Sequence, residues 1–323
     1  MNNRRFVDLH THSLASDGAD SPSVIVRMAD ELKLAAVAVT DHDTTAGIAE
    51  ARQAAGSFAE LCFVAGIEVS ATFMGGTLHI LGLAIDEHSP KLASMVASLR
   101  QARDERNPNM IRKLQELGLD IAMEDVLAVA CESAVARAPS PVDHPGAPPG
   151  QLAGSVTPED TSGTTEAQPK RVVSRLHIAE ALRRKHFVSS TGDAFDRYIG
   201  EGRPAYIDKE RLPPREVIAA IREAGGLAAV AHPVQLGCTN RLQFETILRG
   251  LIRDGLEGIE VYHSDHNPEQ TRLYLDMARK FDLAATGGSD YHGRNKPVQL
   301  GRPVVPLGAN SDKWQRRLFG KCL

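Results

Sequence analysis

Short β-branched or apolar runs alternate with amphipathic helical patterns along most of this chain, and that alternation leaves few folds open to it. Runs of this kind, each followed by a helix, build repeated βα units around a largely parallel sheet. The strand candidates are residues 6–10, 35–40, 62–70, 78–85, 227–232, 256–263 and 283–288. Ser21-Pro22 reads as N-cap and first helical position, with Val24, Met28 and Leu32 on one apolar stripe. Asn267-Pro268-Glu269 opens another helix, with Tyr274, Met277, Ala278 and Phe281 on its inner face. With 323 residues, 42% hydrophobic and 24% charged, the chain can bury one large α/β barrel or two ordinary domains.

The alternation stops between about residues 88 and 214. Helical patterns cover 90–117 and 124–131, with no strand between them. Residues 134–169 then hold seven prolines among many Gly, Ser and Thr, a composition that predicts a mobile linker. Helical pattern resumes over 174–185 and 193–200. This predicts a first barrel part (1–87), a helical insertion over the barrel mouth (88–214) and a second barrel part (215–323).

Nearly every strand candidate carries a metal-competent residue. His10 and His12 end the first, with Asp17 in the loop beyond, and the second ends in Thr40-Asp41-His42-Asp43. Glu68 lies in the third, His79 in the fourth and His232 at the end of the fifth; the last runs into Asp290-Tyr291-His292. Parallel barrels collect the carboxyl ends of their strands on one face, so these side chains should converge. Singly, each has a bland explanation. A His-x-His pair can be a surface feature, Asp and Thr cap helices, and one buried histidine is usually a satisfied core residue. Glu68 is harder to dismiss, because a buried carboxylate needs a cation. Chance would have to place all of them at successive strand ends.

Nitrogen and oxygen donors without thiolate suit Zn²⁺, Mn²⁺ or Fe²⁺. Clustered divalent ions make hydroxide available at neutral pH and neutralise phosphoryl charge. With no G-x-S-x-G nucleophile and no P-loop, attack on a phosphate ester by metal-activated hydroxide is the simplest chemistry. A net charge of −4 argues against a broad basic surface for long nucleic acid, leaving room for a small nucleotide or short oligonucleotide. Four scattered cysteines without a CxxC pair give neither a disulfide framework nor a thiolate zinc site. With no signal-peptide pattern and no apolar run of membrane length, a soluble, cytoplasmic protein is expected.

Asp8-Leu9-His10-Thr11-His12, Ala15-Ser16-Asp17-Gly18, Thr40-Asp41-His42-Asp43, Gly66-Ile67-Glu68, Ala231-His232-Pro233 and Gly288-Ser289-Asp290-Tyr291-His292 resemble the polymerase-and-histidinol-phosphatase (PHP) domain family. The resemblance covers all of the chain but the linker. It implies a distorted (β/α)7 barrel with three divalent ions, manganese foremost and zinc or iron(II) as alternatives. It also implies an allocation: His10, His12, Glu68 and Asp290 for one ion; Glu68, His79 and His232 for a second; Asp17, His42 and His292 for a third. Within the family the chain looks most like 3′,5′-nucleotide bisphosphate phosphatases and 5′-to-3′ exoribonucleases of short RNA. There Ser174-Arg175-Leu176-His177 and Gly202-Arg203-Pro204 resemble phosphate-facing segments, so Arg175, His177 and Arg203 are expected to contact substrate. The alternatives are a histidinol-phosphate phosphatase, a DNA nuclease and a non-catalytic module on the same barrel. The linker at 134–169 is longer and richer in proline than the family pattern leads one to expect, which bears on substrate size.

Overall fold

The computed structural model describes residues 5–135, 173–208, 211–310 and 312–320, with backbone alone over 131–135. Eight strands form one sheet in the order β7-β6-β5-β4-β3-β2-β1-β8. They are β1 (Phe6–Asp8), β2 (Ala36–Val39), β3 (Cys62–Ala71), β4 (Leu78–Leu83), β5 (Leu227–Val230), β6 (Gly258–His263), β7 (Ala284–Gly288) and β8 (Val305–Pro306). The sheet curls until β7 meets β1: the Leu9 amide donates to Gly287 (3.0 Å) and the Asp290 amide to His10 (2.9 Å). The result is a nearly closed, mixed barrel with helices around it. A Cβ on Gly288 would come within 2.4 Å of the His10 backbone nitrogen, so this seam closes only over a glycine.

The barrel is not wholly parallel. β4 runs antiparallel to both β3 and β5, and the short β8 pairs antiparallel with β1. The six residues from Thr72 to Thr77 join β3 to β4 as a hairpin, and a connection that short cannot make a parallel crossover. His79 therefore stands at the start of its strand, and the reversal of β4 is what brings it to the same face as the other strand ends.

Of the helices, α1 (Pro22–Glu31) is capped by Ser21 as its sequence suggests. Its buried face is Pro22, Ile25, Val26 and Ala29, however, while Leu32 is 52% exposed. The expected Val24, Met28 and Leu32 stripe lies one position off: adjacent Ile25 and Val26 bury more branched apolar surface together. After α2 (Ile48–Ala55) and β4 comes α3 (Pro90–Glu116), whose first turns pack Leu92, Met95 and Leu99 into the barrel core. Its second half joins α4 (Met123–Val135), α5 (Arg175–Arg184), α6 (Thr191–Ala194) and a π turn (Phe195–Ile199) in a separate apolar core. Met110, Leu114, Val126, Ile178, Leu182 and Ile199 are among its members. α7 (Pro214–Glu223), α8 (Arg241–Arg253), α9 (Pro268–Lys280) and α10 (Asp312–Phe319) complete the outer layer.

The expected linker at 134–169 falls outside the described residues except where α4 reaches Val135. Cys62 is disulfide-bonded, a departure from the reduced thiols that the cysteine spacing suggested, while Cys238 is free. No helix among the described residues is long and apolar enough to cross a membrane.

Candidate metal centre

Nine side chains from seven segments meet on one face of the barrel. Glu68 is the hub, 1% exposed in the middle of β3. Its Oε1 lies 2.8 Å from His79 Nδ1 and 2.8 Å from His232 Nε2. Its Oε2 lies 2.9 Å from His42 Nδ1, 3.2 Å from His12 Nε2 and 3.4 Å from His10 Nε2. Asp290 Oδ1 faces the same pair of rings, 3.1 Å from His12 Nε2 and 3.5 Å from His10 Nε2. On the far side of His12, Asp17 Oδ1 stands 3.8 Å from His12 Nδ1 and 3.4 Å from His292 Nε2. The structure thus brings all nine expected ligands together, and places His12, Asp17, His42 and His292 in one group.

The hydrogen bonds decide what these rings present to each other. His292 Nδ1 lies 2.9 Å from the Asp290 carbonyl, which only accepts, so Nδ1 carries a proton and Nε2 is the nitrogen turned to Asp17. His10 Nδ1 donates to Glu260 Oε1 at 2.9 Å, which leaves Nε2 turned to Glu68 and Asp290. Burial alone would lower this imidazole, but the three carboxylates outweigh it and raise it well above its usual value. Carboxylates and imidazoles packed this closely out of water need shared positive charge, carried by protons or by metal cations. His12 Nδ1, Asp17 Oδ1, His42 Nδ1 and Glu68 Oε2 are buried and make no hydrogen bond. These residues fit divalent ions. Burial alone would raise the carboxyls of Asp17, Glu68 and Asp290, but the surrounding histidines outweigh it and hold all three well below the usual carboxylate range.

The acidic residues beside the cluster are supports. Asp41 accepts from the Ser13 amide (2.7 Å), Ser13 Oγ (2.6 Å) and Ser16 Oγ (2.5 Å), and so fixes the loop that carries Asp17. Asp43, in the left-handed region at φ 54°, pairs with Arg103 of α3 and ties the insertion to the loop that holds His42. Both partners are buried, so Asp43→Ala should destabilise the fold by about 3–5 kcal/mol in urea unfolding. A loss below 1 kcal/mol would show that the pair is not a strut.

A cavity of about 430 Å³ opens over the cluster, lined by Asp17, His42 and His79 and also by Arg103, Arg106 and Arg175. Arg175 was expected here; Arg103 and Arg106 were not. The Arg175 guanidinium sits 5.6 Å from the Phe195 ring and 5.4 Å from the Tyr206 ring. Among the described residues, Arg106 bonds only to neighbouring Asn107 Oδ1, at 2.7 and 3.1 Å. Burial, then repulsion from Arg103 and Arg175, brings the Arg106 guanidinium down to about 9. Two of the expected substrate contacts lie elsewhere. His177 Nδ1 accepts from the Ser174 amide (3.0 Å) in the capping box of α5, and its side chain lines a neighbouring hollow. Arg203 is exposed and outside the cavity wall. His263, at the end of its strand, was a candidate pocket residue with no ion assigned to it, and Lys296 was not expected. His263 Nε2 lies 3.5 Å and Lys296 Nζ 2.6 Å from Asp290 Oδ2. His263 Nδ1 accepts the Asp265 amide (3.0 Å), which leaves Nε2 turned toward Asp290 without a hydrogen bond, and the ring groups with His10 and Asp290 as a further donor set.

Residues 8–133 match the family model of the PHP domain. The chain is 29% identical to a 5′-3′ exoribonuclease of Haemophilus influenzae over 96% of its own length and 98% of that protein's. It is 30% identical to a 3′,5′-nucleoside bisphosphate phosphatase of Chromobacterium violaceum (92% and 90% covered). A phosphoribosyl 1,2-cyclic phosphate 1,2-diphosphodiesterase of Eggerthella lenta is 31% identical (89% and 94% covered). A solved structure from Bifidobacterium adolescentis, itself assigned only provisionally as a metal-dependent phosphoesterase, superposes with a TM-score of 0.75 at 30% identity, covering 97% of this chain and 94% of that one.

Proposed function

Because the chain belongs to the PHP domain family of metal-dependent phosphoesterases, we propose that it hydrolyses a phosphate monoester of a small nucleotide bearing a second phosphate. A 3′,5′-nucleotide bisphosphate is the leading substrate and short 5′-phosphorylated RNA the next. The observation that carries this reading is a buried Arg106 and a half-buried Arg175 lining the same cavity as His42 and His79. Neither forms an ion pair among the described residues, and their mutual repulsion is relieved by an anion. A nucleotide with two phosphates presents one to each wall. The names of the Haemophilus and Chromobacterium relatives point to the same class of substrate.

Three divalent ions, manganese first among them, would be held by the sets His10, His12, Glu68 and Asp290; Glu68, His79 and His232; and Asp17, His42 and His292. Bound there, they supply hydroxide at neutral pH and neutralise charge on the phosphoryl oxygens. The chain's own residues do the rest. Arg175, with its guanidinium against the rings of Phe195 and Tyr206, fixes the distal phosphate with little loss of side-chain freedom. Arg106, rooted on Asn107, adds charge beside it.

Chelation should abolish phosphate release and Mn²⁺ should restore it; full activity in protein shown to be metal-free would overturn the metal reading. The deciding assay compares 3′,5′-bisphosphorylated adenosine, a short 5′-phosphorylated RNA and histidinol phosphate on the reconstituted enzyme. We expect the bisphosphate to have the highest kcat/KM. A preference for histidinol phosphate would remove the need for the second basic wall.

A further inference from the structure

Glu260 is fully buried on β6, in a barrel interior where an ionised carboxylate needs a reason to be. The pairing of β6 with β7 shifts register between Glu260 and Tyr262, a bulge that re-aims the strand at this position. The two carboxylate oxygens have different tasks. Oε1 accepts from His10 Nδ1 at 2.9 Å, and Oε2 accepts from the backbone amide of His232 at 2.6 Å. His232 stands at φ 24° and ψ 63°, a region that non-glycine residues rarely occupy without an outside hold. Its Nε2 points at Glu68 Oε1, 2.8 Å away.

We propose that Glu260 is a positioning residue for two ion sites at once, fixing the ring tautomer of His10 through one oxygen and the backbone twist of His232 through the other. The proposal rests on the metal reading above, but half of it is independent of any ion. With Nδ1 held by Glu260, His10 is left with Nε2 as the nitrogen turned toward Glu68 and Asp290, the one that would ligate. Without that acceptor, a proton on Nε2 becomes the better arrangement, because it can bond to the same two carboxylates. At His232 the oxygen holds a backbone conformation. Only an ionised carboxylate accepts from both donors together; an amide has one oxygen.

The test uses Glu260→Gln, nearly the same shape, with Glu257→Gln as a control, since Glu257 faces Arg222 and Arg317 away from the cluster. Nitrogen-15 spectra of the histidine rings in the metal-free full chain should show a proton on His10 Nδ1 in the parent. In Glu260→Gln they should show a shift toward Nε2–H. Titration with Mn²⁺ should then show affinity lowered about ten- to a hundred-fold at two sites, with the set of Asp17, His42 and His292 unaffected. If Glu260→Gln does not fold, Glu260→Asp, which keeps the charge but cannot span both donors, is read in the same way. An unchanged His10 tautomer, or Mn²⁺ affinities within twofold of the parent at every site, overturns the proposal. If the parent binds no Mn²⁺, the metal reading falls and the ring spectra still decide the role of Glu260.

Discussion

Glu68→Ala should strip the cluster of roughly two of the three metal equivalents proposed for it and lower phosphate release by on the order of 10³-fold or more. The carboxylate divides its oxygens between two groups of rings, His79 and His232 on one side and His10, His12 and His42 on the other. Removing it leaves two cationic sites without their shared anion, so the ions would repel each other and each would lose a ligand. The set of Asp17, His42 and His292 loses only the neighbour of one ring, Glu68 Oε2 at 2.9 Å from His42 Nδ1, and should retain its ion. Elemental analysis of the purified variant reads this directly. An unchanged metal content would end the bridging role, whatever happened to the rate.

Arg175→Ala should leave metal content alone and act on substrate choice. For a doubly phosphorylated nucleotide the loss in kcat/KM should correspond to about 2–4 kcal/mol, the scale of a partly buried charge-assisted pair. A singly phosphorylated ester has nothing to offer this wall and should be turned over almost as well as by the parent. The difference between substrates is the informative quantity, because binding energy at the distal group orients the reacting one. If both substrates suffer equally, Arg175 touches the phosphate being cleaved, and selectivity for bisphosphates needs another source.

Much of this site could be read from the chain because its ligands sit where strands end, and strands announce themselves. The seven expected strands all exist, with ends within a few residues. The direction of β4 was missed, yet its signal was present: six residues containing Gly75-Gly76 cannot carry a parallel crossover. β8 pairs only two residues and offers no periodicity to detect. The basic wall was half-found. Arg175 stood in a motif, whereas Arg103 and Arg106 sit in a helix that reads as surface. Yet the buried face of α3 runs through Leu92, Met95, Leu99, Arg103, Arg106, Met110 and Leu114, so two arginines hold positions that periodicity reserves for apolar residues. An arginine on the apolar stripe of an amphipathic helix is the clue that was available. His177 lies beside the cavity for a different reason. Its place three residues after Ser174 is also that of a capping partner, and the backbone claimed the ring.

The reversal of β4 also sets a length. A strand that descends from the catalytic face leaves the chain at the opposite end of the barrel, so whatever comes next has to climb back. α3 makes that climb without interruption, and at 1.5 Å per residue the stretch from Pro90 to Arg103 spans roughly 20 Å. The helix is a measuring rod, and the height of its guanidiniums above the histidine cluster is set by counting residues from its first turn. Adding or removing one residue before Arg103 turns the side chain by about 100° around the rod, away from Asp43 and out of the cavity. Whole turns added together would keep the direction and lift the charge farther from the histidine cluster. Helix length alone can therefore set the span between the cluster and the arginines, with the histidines left untouched.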